Sequence, residues 1–285
     1  MEIIKLREML NQPGIIRAPG AFDAWSARLV QMSGFPAVYM TGYGASASVL
    51  GAPDIGLMSM TEMAIHAKNM ANAVQIPLIA DGDTGYGGVL NVIRTVKEYE
   101  RGGVDAIQLE DQILPKRCGH MEGKELISKE EMVSKVKAAA YARRSEDFII
   151  IARTDARAVN GFDDAMERAL AYREAGADII FFEAPQSVEE MKKVAASIQA
   201  PLLANMVESG KTPFLTSVEL EELGYKLVIY PASTLYAATK SMMNVLQCLK
   251  DTDSTKEYLD KMVGFADFYK MVGVEETRSL EKSFL

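Results

Sequence analysis

The chain has 285 residues, 48% of them hydrophobic, enough to bury a real core in one large domain or two small ones. A formal net charge of −8 argues against nucleic acid or an anionic membrane surface as the main partner. A small anionic substrate stays open, because local cations outweigh net charge inside a cleft.

Short, mostly apolar runs fall at residues 15–18, 37–41, 77–81, 106–111, 148–155, 179–184, 201–206 and 227–231. They read as strands of the near-continuous apolar kind expected in a helix-covered parallel sheet. Amphipathic stretches lie between them. Over residues 162–175 the apolar Phe162, Ala165, Ala169, Leu170 and Tyr172 approach helical spacing. Asp163, Glu167 and Arg168 occupy the other faces, and Gly176 is a stop signal. Alternation repeated in this way over about 250 residues predicts a (β/α)₈ TIM barrel, with an open doubly wound sheet as the rival. No Pro/Gly/Ser-rich linker divides the chain, so one domain is expected over 1–285, with 233–285 as a C-terminal helical extension. In that extension Leu235, Ala238, Met242, Val245, Leu246 and Leu249 form an apolar stripe, and a second helical stretch is expected over 255–271. These faces either close the barrel's base or pack on a neighbouring subunit; periodicity does not choose. The cysteines Cys118 and Cys248 make no disulfide framework and fit a reducing compartment. There is no signal-like start and no apolar stretch long enough to span a bilayer, so a soluble cytoplasmic protein is expected.

Polar residues close most of the runs: Asp81 and Asp83, Glu110 and Asp111, Arg153 and Asp155, Glu183, Asn205, then Tyr230 and Pro231. In such a barrel this is the rim that carries chemistry. Any one of them also reads as a helix cap or turn residue. Asp81 and Asp83 stand two apart on an extended segment, which puts both carboxylates on one side. A hard divalent cation relieves their repulsion, with Glu110 and Asp54 holding its waters. Zinc is not expected: His66 and His120 are the only histidines, and no Cys/His ligand spacing exists. His66 reads as a packing or surface residue. The run Gly85-Tyr86-Gly87-Gly88 lacks the phosphate-loop ending and reads as a loop that lets backbone approach the site. The segment Lys116-Arg117-Cys118-Gly119-His120 sets a thiol and an imidazole among cations; on its own Cys118 reads equally as a buried small residue.

Taken together, the chain resembles the isocitrate lyase / phosphoenolpyruvate mutase superfamily. The likeness runs from Arg17-Ala18-Pro19-Gly20-Ala21-Phe22-Asp23 to the helices after Pro231, with Lys116-Arg117-Cys118-Gly119-His120 pointing to the lyase branch. Asp81–Gly87, Glu110-Asp111-Gln112, Ala152–Ala156 and Leu203-Ala204-Asn205 match further blocks in order. The resemblance implies a Mg²⁺-dependent barrel, with Mn²⁺ as a substitute, acting on small 2-hydroxy or 2-oxo acids. It also implies a homotetramer, a dimer of dimers with exchanged C-terminal helices. Residue by residue, Asp83 is the expected direct metal ligand, with Asp54, Asp81 and Glu110 binding directly or through water. Thr41, Gly42, Gly44, Ala45 and Ser46 would hold the substrate carboxylate, and Tyr43 would deprotonate the hydroxyl. Arg153 would pair with substrate oxygens, while Glu183 and Asn205 would orient the leaving fragment. Gly119, Thr212 and Pro231 complete the expected substrate contacts. Cys118 would give its proton to a carbanion, with Lys116 and His120 tuning the thiol, on a lid over 115–123.

Within the lyases, Cys118-Gly119-His120 is followed by Met121-Glu122-Gly123-Lys124, where methylisocitrate lyases carry an Arg-Pro pair. Met and Glu suit a dicarboxylate fragment less, and Thr41-Gly42-Tyr43-Gly44 resembles the dimethylmalate lyase branch. Cleavage of 2,3-dimethylmalate is therefore expected first and of 2-methylisocitrate second, with Lys124 as a candidate replacement cation. More distant readings are an oxaloacetate-processing or phosphonate-forming enzyme, and a barrel without catalysis.

Overall fold

A computed structural model describes residues 4–117 and 123–285. Eight parallel strands close into a barrel in chain order: β1 (Ile16–Ala21), β2 (Val38–Met40), β3 (Leu78–Asp81), β4 (Ala106–Glu110), β5 (Ile149–Thr154), β6 (Ile179–Phe182), β7 (Leu202–Asn205) and β8 (Leu227–Tyr230). β8 returns to pair with β1, which excludes the open-sheet rival. β1 is the strand most different from its expected span, running on through Pro19 and Gly20 to Ala21. Gly20 is required there, because a Cβ would lie 2.4 Å from the Pro231 carbonyl oxygen. At β2 the strand stops short of Thr41, which caps the helix Gly42–Ala45 by accepting from the Gly44 N–H at 3.3 Å.

The period of two along each strand sorts residues between two cores. Val38, Met40, Leu78, Ala80, Ile107, Leu109, Ile150, Ala152, Ile180 and Phe182 face the surrounding helices. The alternate set fills the barrel: Ile16, Ala18, Tyr39, Ile79, Ala106, Ile149, Ile151, Ile179, Phe181, Leu203, Leu227 and Ile229, with Leu6 joining it from the helix Leu6–Leu10. That helix was not anticipated from sequence. Continuing the inward parity toward the carboxyl ends turns Ile79 into Asp81, Ala106 into Gln108 and Glu110, Ile151 into Arg153, Phe181 into Glu183 and Leu203 into Asn205. Register then aligns Asp81 with Gln108 and Glu110 with Arg153. The apolar barrel thus ends in a polar, charged layer.

At the opposite end Asp178 holds three elements together. It accepts from Arg7 Nη2 at 2.9 Å, Arg143 Nη1 at 2.6 Å and the Ile150 N–H at 2.8 Å. Asp178→Ala leaves both guanidinium groups and the Ile150 amide without this acceptor, so a loss of roughly 2 kcal/mol is expected in urea unfolding. A change within 0.5 kcal/mol, the size of an ordinary surface substitution, would show that the cluster is solvent-compensated.

Residues up to Leu235 form one compact unit and Tyr236–Leu285 a second. The second carries most of the helix Ser233–Thr252, then a 3-10 turn at Lys256–Lys261 and helices Phe265–Met271 and Val274–Lys282. The continuous helix expected over 255–271 is broken before Gly264, where Met262 turns extended. Among the described residues no helix is long and apolar enough to cross a membrane.

Candidate active site

Four carboxylates meet at the rim, all buried: Asp54, Asp81, Asp83 and Glu110. Asp81 closes β3, but Asp83 lies beyond it with φ +45°, so the extended-segment argument for the pair does not hold. A turn brings them together instead, with the Asp83 N–H donating to Asp81 Oδ1 at 2.9 Å. Beneath them Gln108 Nε2 lies 3.5 Å from Asp81 Oδ1 and accepts at Oε1 from Tyr39. Gly42 sits against this cluster, since a Cβ there would fall 2.6 Å from Asp81 Oδ2.

The charge on this cluster is answered from outside the strands. Lys116, 3% exposed, places Nζ 2.5 Å from Asp54 Oδ1 and 2.9 Å from Asp83 Oδ1. Burial works against its charge, but Asp83, Glu110, Asp81 and Asp54 outweigh burial and raise its pKa well above the ordinary value. Burial and the neighbouring Asp83 push Asp81 up to about 6, and burial raises Asp54 and Glu110 as well. Lys116 is thus committed to the acid cluster, where sequence had assigned it to the thiol. Its segment leaves the barrel through a closed neck: the Ile113 N–H donates to Glu125 O at 2.9 Å and the Ile127 N–H to Asp111 O at 3.0 Å. Cys118, Gly119, His120, Met121 and Glu122 lie outside the described residues.

Arg153 is buried beside the cluster, with Nη1 3.5 Å from Glu110 Oε2. Its Nε and Nη2 donate to Asp155 Oδ2 and Oδ1, each at 2.9 Å, and its guanidinium lies 5.0 Å from the Phe181 ring centroid. Asp155 Oδ1 also accepts from Lys124 Nζ at 2.7 Å. Lys124, read from sequence as a candidate cation for the second substrate fragment, is engaged with Asp155 here. Asp111 lies behind, accepting from the Asp155 N–H (2.9 Å), Thr154 Oγ1 (2.8 Å) and Tyr172 OH (2.8 Å). Asp155 and Gln108 continue the inward parity of Ile151 and Ala106, the signal that separates them from ordinary caps, whereas Asp111 follows the outward parity of Ile107 and Leu109 and meets Tyr172 of the surrounding helices.

Further round the rim, Asn205 Nδ2 lies 3.3 and 3.4 Å from the Glu183 carboxylate oxygens, and Asn205 Oδ1 is buried without a hydrogen-bond partner among the described residues. Thr212, on the loop after β7, likewise has a buried Oγ1 without one. Tyr43 and Gly44 share the helix Gly42–Ala45 and Ser46 opens the π-helical turn Ser46–Leu50. Pro231 follows β8 and packs on Gly20. The described contacts join Gly42, the four acids, Lys116 and Arg153 into one cluster; the charge of Glu183 acts on Arg153 as well, and Glu183 meets Asn205. These contacts do not include Thr212 or Pro231. Away from the rim, His66 Nε2 lies 2.9 Å from the Phe22 carbonyl oxygen, as a packing residue should.

The acid cluster suits a hard cation. All its donors are oxygens, and Glu110 Oε1 is buried with no hydrogen-bond partner among the described residues. Among those residues no three Asp, Glu, His or Cys side chains close on one point as an all-protein cage would. The fit to a hard cation therefore rests on the oxygen donors and on the unpartnered Glu110 Oε1.

Known proteins resemble this chain along most of its length. The family model for phosphoenolpyruvate phosphomutase matches residues 6–250. A 2,3-dimethylmalate lyase of Eubacterium barkeri is 53% identical over 98% of this chain and 97% of its own. A 2-methylisocitrate lyase of Aeropyrum pernix is 46% identical over 95% of this chain and 87% of its own. Among solved structures, a 2,3-dimethylmalate lyase superposes with TM-score 0.92 at 37% identity, covering 97% of this chain and 93% of that one. A phosphonopyruvate hydrolase in complex with oxalate and Mg²⁺ superposes with TM-score 0.87 at 31% identity, covering 97% and 96%.

Proposed function

This chain belongs to the phosphoenolpyruvate phosphomutase family, and from that premise we propose that it is a Mg²⁺-dependent carbon–carbon lyase cleaving 2,3-dimethylmalate to pyruvate and propionate. The observation that carries the reading is its 53% identity, end to end, with a 2,3-dimethylmalate lyase. When bound, a magnesium ion held by Asp83 and, directly or through water, by Asp54, Asp81 and Glu110 would polarise the oxygens of the pyruvyl half. The backbone from Gly42 to Ser46 holds the carboxylate of that half, and Arg153 pairs with its oxygens. Tyr43, acting as its phenolate, takes the proton of the 2-hydroxyl and passes it to solvent. The C2–C3 bond then breaks, its electron pair staying on C3 while C2–O becomes the carbonyl of pyruvate. Cys118 delivers its thiol proton to C3, giving propionate and a thiolate that solvent reprotonates. Glu183 and Asn205 orient the departing half.

2-Methylisocitrate, which would yield succinate, is the second reading, supported by the 46% identity to a lyase of that name. The Lys124–Asp155 pair weighs against it, because it takes up the cation that a second carboxylate would call for. The test is pyruvate release from 2,3-dimethylmalate, 2-methylisocitrate, isocitrate and oxaloacetate side by side. A higher kcat/KM on 2-methylisocitrate would overturn the substrate assignment.

The same reading includes a homotetramer with exchanged C-terminal helices and a cytoplasmic location. For assembly, the support is the tail's many exposed large apolar side chains, among them Met243, Leu246, Leu259 and Phe265. Truncation after Lys250 should give smaller species by light scattering, with a lowered Tm; an intact tetramer would argue against exchange.

A further inference from the structure

The residue that the proposed mechanism leaves without a task is Asp155, although it receives two cations. Arg153 donates to both of its oxygens at 2.9 Å, and Lys124 donates to Oδ1 at 2.7 Å. None of the three is more than 8% exposed. Asp155 is itself fixed from behind. Its N–H donates to Asp111 Oδ1, and Asp111 Oδ2 accepts from Thr154 and from Tyr172 on the helix Phe162–Glu174. Arg168 of that helix also comes within 3.4 Å of Asp111.

This arrangement decides how Arg153 can be presented. A guanidinium has five N–H donors in a rigid fork. Asp155 takes the Nε and Nη2 edge, and the ring of Phe181 covers a face. What remains turned to the acid cluster is Nη1, 3.5 Å from Glu110 Oε2. The bidentate pair therefore sets which edge of Arg153 meets a ligand. Its sharing of Oδ1 with Lys124 links that choice to the chain segment in which Lys124 follows Cys118 by a few residues.

We propose that Asp155 is a positioning residue, which aims Nη1 of Arg153 at the substrate and joins Arg153 to Lys124 through a shared carboxylate. The proposal rests on the reading of Arg153 as a substrate contact. Its consequence is that Lys124, which pairs with Asp155, still governs ligand affinity at Arg153.

The test is binding of oxalate, a planar dianion shaped like the enolate of pyruvate, to the Mg²⁺-loaded protein by calorimetry. Asp155→Asn should weaken oxalate about tenfold or more, since an amide offers one acceptor where the fork and Lys124 need two. In an Arg153→Ala background the same change should alter Kd less than about twofold, because residues acting as one unit are not additive. Lys124→Met, which leaves Asp155 charged and its pairing with Arg153 possible, should weaken oxalate about threefold and so keeps the proposal testable if Asp155→Asn does not fold. Folded Asp155→Asn with unchanged oxalate affinity would overturn the proposal, as would equal effects in both backgrounds or an unchanged Kd for Lys124→Met. If Arg153→Ala itself leaves oxalate binding unchanged, the reading of Arg153 fails and the proposal with it. A weakened Arg153→Ala beside an unaffected Asp155→Asn sinks the proposal alone.

Discussion

Asp83→Ala is expected to lower kcat/KM on 2,3-dimethylmalate by about 10³-fold or more while leaving the fold intact, because it removes the carboxylate assigned to the metal. Without metal, Asp83 is one of four buried acids, and burial with mutual repulsion already pushes Asp81 up to about 6. Removing one negative charge relieves that crowding, and Lys116 keeps Asp54 at 2.5 Å. The metal-free variant should therefore melt close to the parent. With metal, the parent gains stability by linkage, about 2.7 kcal/mol at a hundredfold excess over Kd, and the variant should gain little. Thermal melting with and without Mg²⁺ separates the two roles. A variant that keeps its Mg²⁺-dependent Tm rise would remove Asp83 from the ligand set; one that unfolds without metal would make it a structural residue.

Cys118→Ser should cost about 10²- to 10⁴-fold in kcat with little change in pyruvate affinity. Serine keeps the shape and a hydrogen-bond donor, but its hydroxyl is a far weaker acid than a thiol with an unperturbed pKa near 8.5. Binding of the pyruvyl half depends on other residues, so KM should move less than kcat, the pattern of an interaction made only in the transition state. Steady-state kinetics with a pyruvate titration checks this. Turnover near the parent's would end the assignment of the thiol as proton donor.

What the sequence reveals and what it hides have separate physical causes. Strands buried on both sides are apolar nearly throughout, so all eight stand out, and Asp81, Glu110, Arg153, Glu183 and Asn205 end them with a recognisable break in character. The ends of strands are blurred because caps and turns use the same polar residues, as Thr41 does. Partner choice is invisible to periodicity. Lys116 looked like a companion to Cys118 because the two are close in sequence, yet its carboxylates come from Asp54 and Asp83 on other loops. Lys124 was taken for a substrate cation for the same reason, and Asp155 claims it from the end of β5. Asp83 was placed on an extended segment, while its left-handed backbone puts it past the strand in a turn. In the tail, Gly264 and Gly273 were available as break signals within and beyond 255–271, and the apolar spacing overrode them.

In the proposed reaction a C2–C3 bond is broken and the released carbon is protonated. Proton NMR of the reaction with 2,3-dimethylmalate in D₂O tests it directly. Pyruvate and propionate should form in equal amounts, with one deuterium at C2 of propionate, only while Mg²⁺ is present, and EDTA should stop both products. Undiminished cleavage after complete metal removal, or turnover of phosphoenolpyruvate with none of dimethylmalate, would contradict the account.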